Sequence, residues 1–375
     1  MASFGESEMK WSLKRTEGGG EALLARASSS AAAFDGFVMA FGGAERTPLS
    51  MNDLWKYTLP GSEKGGGGGG KWTPVEEKGD CPTPRSEHGV VALGKYMLLF
   101  GGIDFCEESV YNDLYVLNTD TMEWKYAGES GVEVMARSSH SLTLCTGTNG
   151  RTYMIVFGGA NPIEGPLKDV QYAVLPADLE DLGKDDFFIT WKTLELPEGA
   201  PQPCARESHS AVSVGGSSYI VGGKAGMDLF GDVWKLADSA SDADAEPVWA
   251  WTKMDALDLP LPRAAHSVCA MTPAAAAAAP SSSDSCLPVP LLCVFGGIEG
   301  PALGPEMTFE KSLITAPLDG SASWTTQTVV EDPATPMEAR ISQRMCTLAS
   351  GTQAFIFAGM SPMEDYADAW ILTSS

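Results

Sequence analysis

A short apolar run ending in two small residues recurs along these 375 residues as FVMAFGG, YMLLFGG, YMIVFGG, SYIVGG, LLCVFGG and AFIFAG. The runs close at Gly43, Gly102, Gly159, Gly223, Gly297 and Gly359, spaced 57 to 74 residues apart. A unit repeated at such a period cannot bury its own apolar face and must stack on its neighbours. Upstream of each doublet stands an arginine with a partner three residues on: Arg26/Ser29, Arg85/His88, Arg137/His140, Arg206/His209, Arg263/His266 and Arg340/Gln343. Downstream come Asp53/Trp55, Asp113/Tyr115, Asp169/Tyr172, Asp232/Trp234 and Asp368/Trp370, and the fifth copy, FEKSLI, breaks this pattern. Trp72, Trp124, Trp191, Trp251 and Trp324 then close the units.

Each element has a physical reason. The segment after the arginine alternates polar and apolar residues, as in HGVVALG, and predicts a first strand a. The run before the glycines is apolar on both faces, as a strand b sandwiched between neighbouring sheets must be. The glycines allow backbone angles closed to other residues. The acidic-aromatic segment makes strand c, and the tryptophan opens strand d, where a large ring fills the wedge between twisted sheets. The chain ends after a third strand at Trp370, whereas its start, MKWSLKR, supplies a lone fourth with Trp11. The two halves are expected to complete one sheet and remove its exposed edges.

The recurrence together of glycine doublet, arginine column, acidic-aromatic pair and tryptophan resembles the Kelch family. The resemblance implies an all-β fold, a six-bladed Kelch β-propeller closed by N-terminal strand d pairing with C-terminal strands a to c. It implies one domain over 1–375, with blades at about 14–72, 73–124, 125–191, 192–251, 252–324, and 325–375 plus 1–13. The units exceed the roughly 50 residues of a Kelch repeat. Three low-complexity insertions account for the excess: Gly65–Gly70, Asp238–Glu246, and Ala274–Ala279 with Ser281–Ser285. All lie in a–b or c–d connections, leaving the opposite b–c/d–a face as the one expected to bind.

That face predicts the candidate ligand residues Arg46, Glu87, Asp104, Phe105, Ser139, Glu164, Glu207, Lys224, Asp228 and Glu299. Its b–c loops are rich in carboxylates, which favours a protein partner with basic residues or a small cationic ligand. The wording R-S-x-H and Y-N-D-L-Y resembles the Rab-effector and Kelch-domain-containing groups, which implies a protein-binding module. A second resemblance, to the plant specifier proteins, implies a metal-dependent lyase. Their iron motif, E-x-x-x-D-x-x-x-H, lacks its Asp and His here, and the equivalent stretch offers Glu299, Glu306 and Glu310 for a divalent metal. The four histidines repeat at one column position, which assigns them a structural task. Cys106 has no basic neighbour to activate it.

Lys and Arg total 25 against 49 Asp and Glu, a formal charge of -24, so nucleic acid and anionic membrane surfaces are excluded as partners. The eight cysteines show no C-x-x-C spacing, and no signal peptide or membrane span is expected. A cytoplasmic monomer with reduced thiols is the expectation.

Overall fold

The computed structural model describes residues 10–16, 23–47, 49–62, 70–240, 245–273 and 289–374. The insertions Gly65–Gly70 (save Gly70), Ala274–Ala279 and Ser281–Ser285 lie outside the described residues, as do 241–244 within Asp238–Glu246.

The described chain is all-β, with two short 3-10 helices, Leu179–Gly183 and Asp255–Leu257. Six sheets of four or five strands carry the six repeats. In the first, Ser30–Phe34, Phe37–Ala44, Ser50–Thr58 and Lys71–Pro74 pair antiparallel in chain order. The strand preceding the glycine doublet is the most buried of its sheet, as in Tyr96–Asp104, where Met97 to Phe100 are wholly buried. It lies between two partner strands and under two neighbouring sheets, which is why its run is apolar on both faces.

The sixth sheet joins the chain's two ends. Trp11–Arg15 pairs antiparallel with Ala369–Ser374, matching Trp11 to Ser374 and Arg15 to Trp370. The second, third and sixth sheets each gain a short parallel fifth strand on their outer edge: Lys78–Gly79, Gly128–Gly131 and Val329–Val330.

The first strands of the six sheets neighbour one another in a cycle. Ser30–Phe34 packs against Gly89–Leu93, then follow Ser141–Thr146, Ser210–Val214, Ser267–Met271 and Arg344–Thr347, which returns to Ser30–Phe34. Between sheets the packing is aromatic and repeated. Phe41 of one sheet meets His88 and Trp124 of the next edge-on, at 5.6 and 5.4 Å between ring centroids. Phe100 meets His140 and Trp191 in the same way, and Phe157 meets His209 and Trp251. Each such edge contact adds about 0.5–1.5 kcal/mol to the area buried.

Glycine is required at the doublet by both neighbours. A Cβ on Gly101, at φ +64°, would lie 2.9 Å from the Arg137 carbonyl and from the His140 ring of the next sheet. On Gly102, at φ +104°, it would lie 2.8 Å from His88 Cβ in its own sheet. Among the described residues no helix is long and apolar enough to cross a membrane.

Candidate functional site

The antiparallel order of each sheet brings the start of its first strand and the turn between its second and third strands to one end. The arginine column sits at that end. Arg26, Arg85, Arg137, Arg206, Arg263 and Arg340 are all buried. Five of them meet the aspartate that opens their own third strand: Arg26 donates to both oxygens of Asp53 at 2.6 and 2.8 Å, and Arg206 to those of Asp232 at 2.6 and 2.9 Å. Arg85–Asp113, Arg137–Asp169 and Arg340–Asp368 repeat this fork. Burial pushes the aspartate pKa up, but the arginine bonds and charge outweigh it and hold Asp53, Asp169 and Asp232 below the usual carboxylate range. The sequence revealed both columns but not that they are partners.

The histidines are structural. Burial, with the neighbouring arginine second, drives His140 and His266 down to about 3 and His88 and His209 well below 6.5, so all four stay neutral in the fold.

Two residues past each arginine the backbone turns left-handed, and those six residues close a ring. Glu87 N–H donates to the Ser28 carbonyl at 2.9 Å, Ser139 to Glu87 at 2.9 Å, and Ser208 to Ser139 at 3.1 Å. Ala265 donates to Ser208 and Ser342 to Ala265, each at 2.8 Å, and Ser28 to Ser342 at 2.9 Å. All six have φ between 52° and 57°. Left-handed backbone costs about 1–2 kcal/mol for a non-glycine residue, and the inter-sheet bond each one makes offsets that cost. The ring surrounds a cavity of about 70 Å³, and a second cavity of about 220 Å³ lies between the first strands.

The predicted ligand residues meet different fates at this end. Glu164 and Asp228 are exposed on their turns, and Phe105 is 40% exposed. Glu87 and Ser139 belong to the ring, where the Ser139 hydroxyl donates to Glu87 at 2.8 Å. Four others are engaged by the fold, unlike the open carboxylates and cations expected. Asp104 is only 4% exposed and accepts from Cys106 N–H at 2.9 Å. Glu207 and Lys224 pair with each other, and Arg46 clasps the sixth sheet through Asp365 and the Ser361 and Pro362 carbonyls. Phe230 stacks beneath Arg206, 4.5 Å from its guanidinium carbon.

Glu299 is the counter-ion of Arg263. The fifth repeat has Ser312 at the register of the missing aspartate, because Leu313 pairs with Phe295 as Leu54 pairs with Phe41. The carboxylate comes instead from the turn after the doublet. Glu310 accepts from Ser312 and Thr308, and Glu306 is exposed. Glu299, Glu306 and Glu310 therefore do not form the expected ligand set, and among the described residues no group of three or more His, Cys, Asp or Glu side chains is placed to hold a metal.

What the loop end does offer, and the reading of its charges overlooked, is apolar surface. The turns between second and third strands expose Leu49, Phe105, Ile163, Met227 and Met363, with Ile163 89% and Met363 87% accessible. Leu24, Met135 and Leu261, two residues before their arginines, expose more. Large side chains at hairpin tips, where polar residues serve the turn equally well, were the available signal.

Fold and site together define an all-β repeat protein of stacked antiparallel sheets with exposed apolar tips at its loop end. Residues 2–172 match the family described as the KLHDC2/KLHL20/DRC7 Kelch-repeats domain, so that stretch carries Kelch repeats and the chain is similar to Kelch-repeat proteins. It is 29% identical over 214 residues to Kelch domain-containing protein 3 of Homo sapiens, covering 56% of this chain and 51% of that one. It is 29% identical over 198 residues to Tip elongation aberrant protein 1 of Schizosaccharomyces pombe, covering 52% and 15%. It is 31% identical over 183 residues to N-(sulfonatooxy)prop-2-enimidothioate sulfolyase of Thlaspi arvense, covering 48% of each. The matches span about half or less of these relatives.

Proposed function

We propose that the chain is a single six-bladed Kelch propeller over residues 1–375, closed by its N-terminal strand, and that it works as a binding module docking a protein partner on the b–c/d–a loop face. Kelch-repeat domains are typically protein-interaction modules. The pairing of Trp11–Arg15 with Ala369–Ser374 and the six-membered backbone ring support the closed architecture.

The observation that carries the function is the set of exposed apolar tips on that face, interspersed with exposed carboxylates such as Glu164 and Asp228. Apolar anchors within a charged rim suit a protein surface better than a small cation, which would need converging carboxylates. The partner carries apolar side chains and a net positive rim, since the chain's charge of -24 would repel an acidic one. Among the described residues no donor set supports the lyase alternative.

The test is affinity capture from extracts of the source cells with wild type and with the triple variant Ile163→Ser, Met227→Ser and Met363→Ser. A partner lost from the variant and eluted by salt is the expected result. A partner retained by this variant but lost on changing Phe188 and Val248, at the opposite end, would sink the assignment of the face.

A further inference from the structure

Arg344 breaks a column. The first residues of the other inner strands are Ser30, Gly89, Ser141, Ser210 and Ser267, all small and, Ser30 apart, on the wall of the 220 Å³ cavity, and the sixth strand places an arginine there. Its side chain reaches back under the ring: Nε donates to the Ser29 carbonyl at 2.9 Å and Nη2 to the His88 carbonyl at 3.0 Å. Nη1 has no partner among the described residues, and no carboxylate lies within ion-pair distance of Arg344. Arg344 lines both channel cavities, so it stands at their junction.

The other walls of the 70 Å³ cavity supply matching groups. The hydroxyls of Ser28, Ser208 and Ser342 make no hydrogen bond among the described residues, although their backbones are fixed by the ring. Glu87 accepts both serine bonds it receives, from Ser138 and Ser139, on Oε2, which leaves Oε1 without a partner among the described residues. One cation, three hydroxyl donors and one carboxylate oxygen thus line one small polar space, large enough for an ion and too small for a folded partner. A buried arginine that makes no ion pair, and that Glu87 across the cavity reaches only through space, gains from an anion placed between them. The carboxylate opposite demands that the anion bring a proton donor of its own.

We propose that the channel mouth binds free inorganic phosphate, its unprotonated oxygens on Arg344 and the hydroxyls of Ser28, Ser208 and Ser342, and its P–O–H donating to Glu87. Inorganic phosphate keeps that hydroxyl at neutral and mildly alkaline pH. Sulfate and the dianion of a phosphate monoester do not, and would set a bare oxygen against the Glu87 carboxylate.

The experiment is titration calorimetry of the full chain with inorganic phosphate, sulfate and O-phosphoserine at pH 8. One saturable phosphate site is expected, with sulfate and O-phosphoserine at least ~10-fold weaker, the equivalent of about 1.4 kcal/mol. The double variant Ser208→Ala and Ser342→Ala should weaken phosphate ~10-fold with an unchanged melting temperature, because neither hydroxyl is bonded among the described residues. Glu87→Gln should let sulfate bind as tightly as phosphate. Arg344→Met should abolish binding; if it does not fold, the serine and Glu87 variants decide. Absence of saturable binding up to about 10 mM phosphate, or equal affinity for sulfate in the wild type, would overturn the proposal.

Discussion

In five of the six sheets a buried arginine finds its carboxylate at the start of its own third strand, whereas in the fifth Arg263 must take Glu299 from the turn after the glycines. The forked pairs are held by strand geometry on both sides. The Arg263 pair leans on a small separate sheet of Arg263–Ala264, Ile298–Glu299 and Thr308–Phe309 at the loop end. Its fit is poorer: Nε of Arg263 is buried without a partner among the described residues, and burial lowers its pKa to about 10. The same sheet departs in its packing. Facing it from the fourth sheet, Val221 stands where the other doublet strands have phenylalanine, and Trp324, only partly buried, turns its indole N–H to the Leu257 carbonyl at 2.9 Å. Leu257 and Leu259 fill the space. A repeat unit can thus lose one side chain of its column if a loop supplies the same charge or volume, and the fold then couples that loop to the core.

The sharpest way to break this comparison is to remove one acid from each kind of pair. Asp113→Ala strands a wholly buried Arg85 and should cost about 3–5 kcal/mol, read as a lower denaturant midpoint with unchanged slope. Glu299→Ala should cost less, about 1.5–3 kcal/mol, since Glu310 acts on Arg263 from nearby. Adding Ser312→Asp should restore most of that loss by rebuilding the common fork. No rescue would mean the fifth repeat has diverged beyond its side chains.

A smaller effect separates the histidine sheets from the sixth, where Gln343 fills the same position and donates to the Phe295 carbonyl at 2.7 Å. His266, at about 3 in the fold and about 6.5 when unfolded, stays neutral while the unfolded chain takes a proton. Its stabilising share is therefore complete above pH 6.5 and is lost as pH falls toward 3. His266→Gln should spare about 2 kcal/mol of the loss between pH 6.5 and 5. Glu77 and Glu129, raised by burial to about 7, act oppositely: their share is full below their unfolded pKa and is lost as pH rises through 7. Melting curves from pH 5 to 8 on wild type, H266Q and E77Q separate the two trends; identical acid slopes in wild type and H266Q would contradict the buried neutral state.

The smallest expected effect concerns the exposed acids. Glu164→Gln with Asp228→Asn should change stability by less than about 0.5 kcal/mol, in contrast to Glu299, which the sequence grouped with them. A loss comparable to that of Glu299→Ala would place them in unseen core contacts.

Composition and period by themselves determined the repeat, the doubly buried strand before each glycine pair and the isolated fourth strand at the start, because these depend on residue types at fixed local spacing. They also placed the insertions away from one end. They did not reveal that Arg26 and Asp53, 27 residues apart, form one fork, or that Ser312 hands the role of an aspartate to Glu299. Nor could they reveal the backbone ring, since an N–H···O=C bond is made alike by Ser, Glu or Ala and leaves no mark on residue type. The sixth doublet is the clearest case. Ala358 takes φ +61° where other copies have glycine, and the residue facing it from the next sheet is Ser29 instead of a histidine ring. These two letters lie more than 300 positions apart, and only the tertiary structure, which pairs Gly359 N–H with the Arg26 carbonyl, brings their two sheets together.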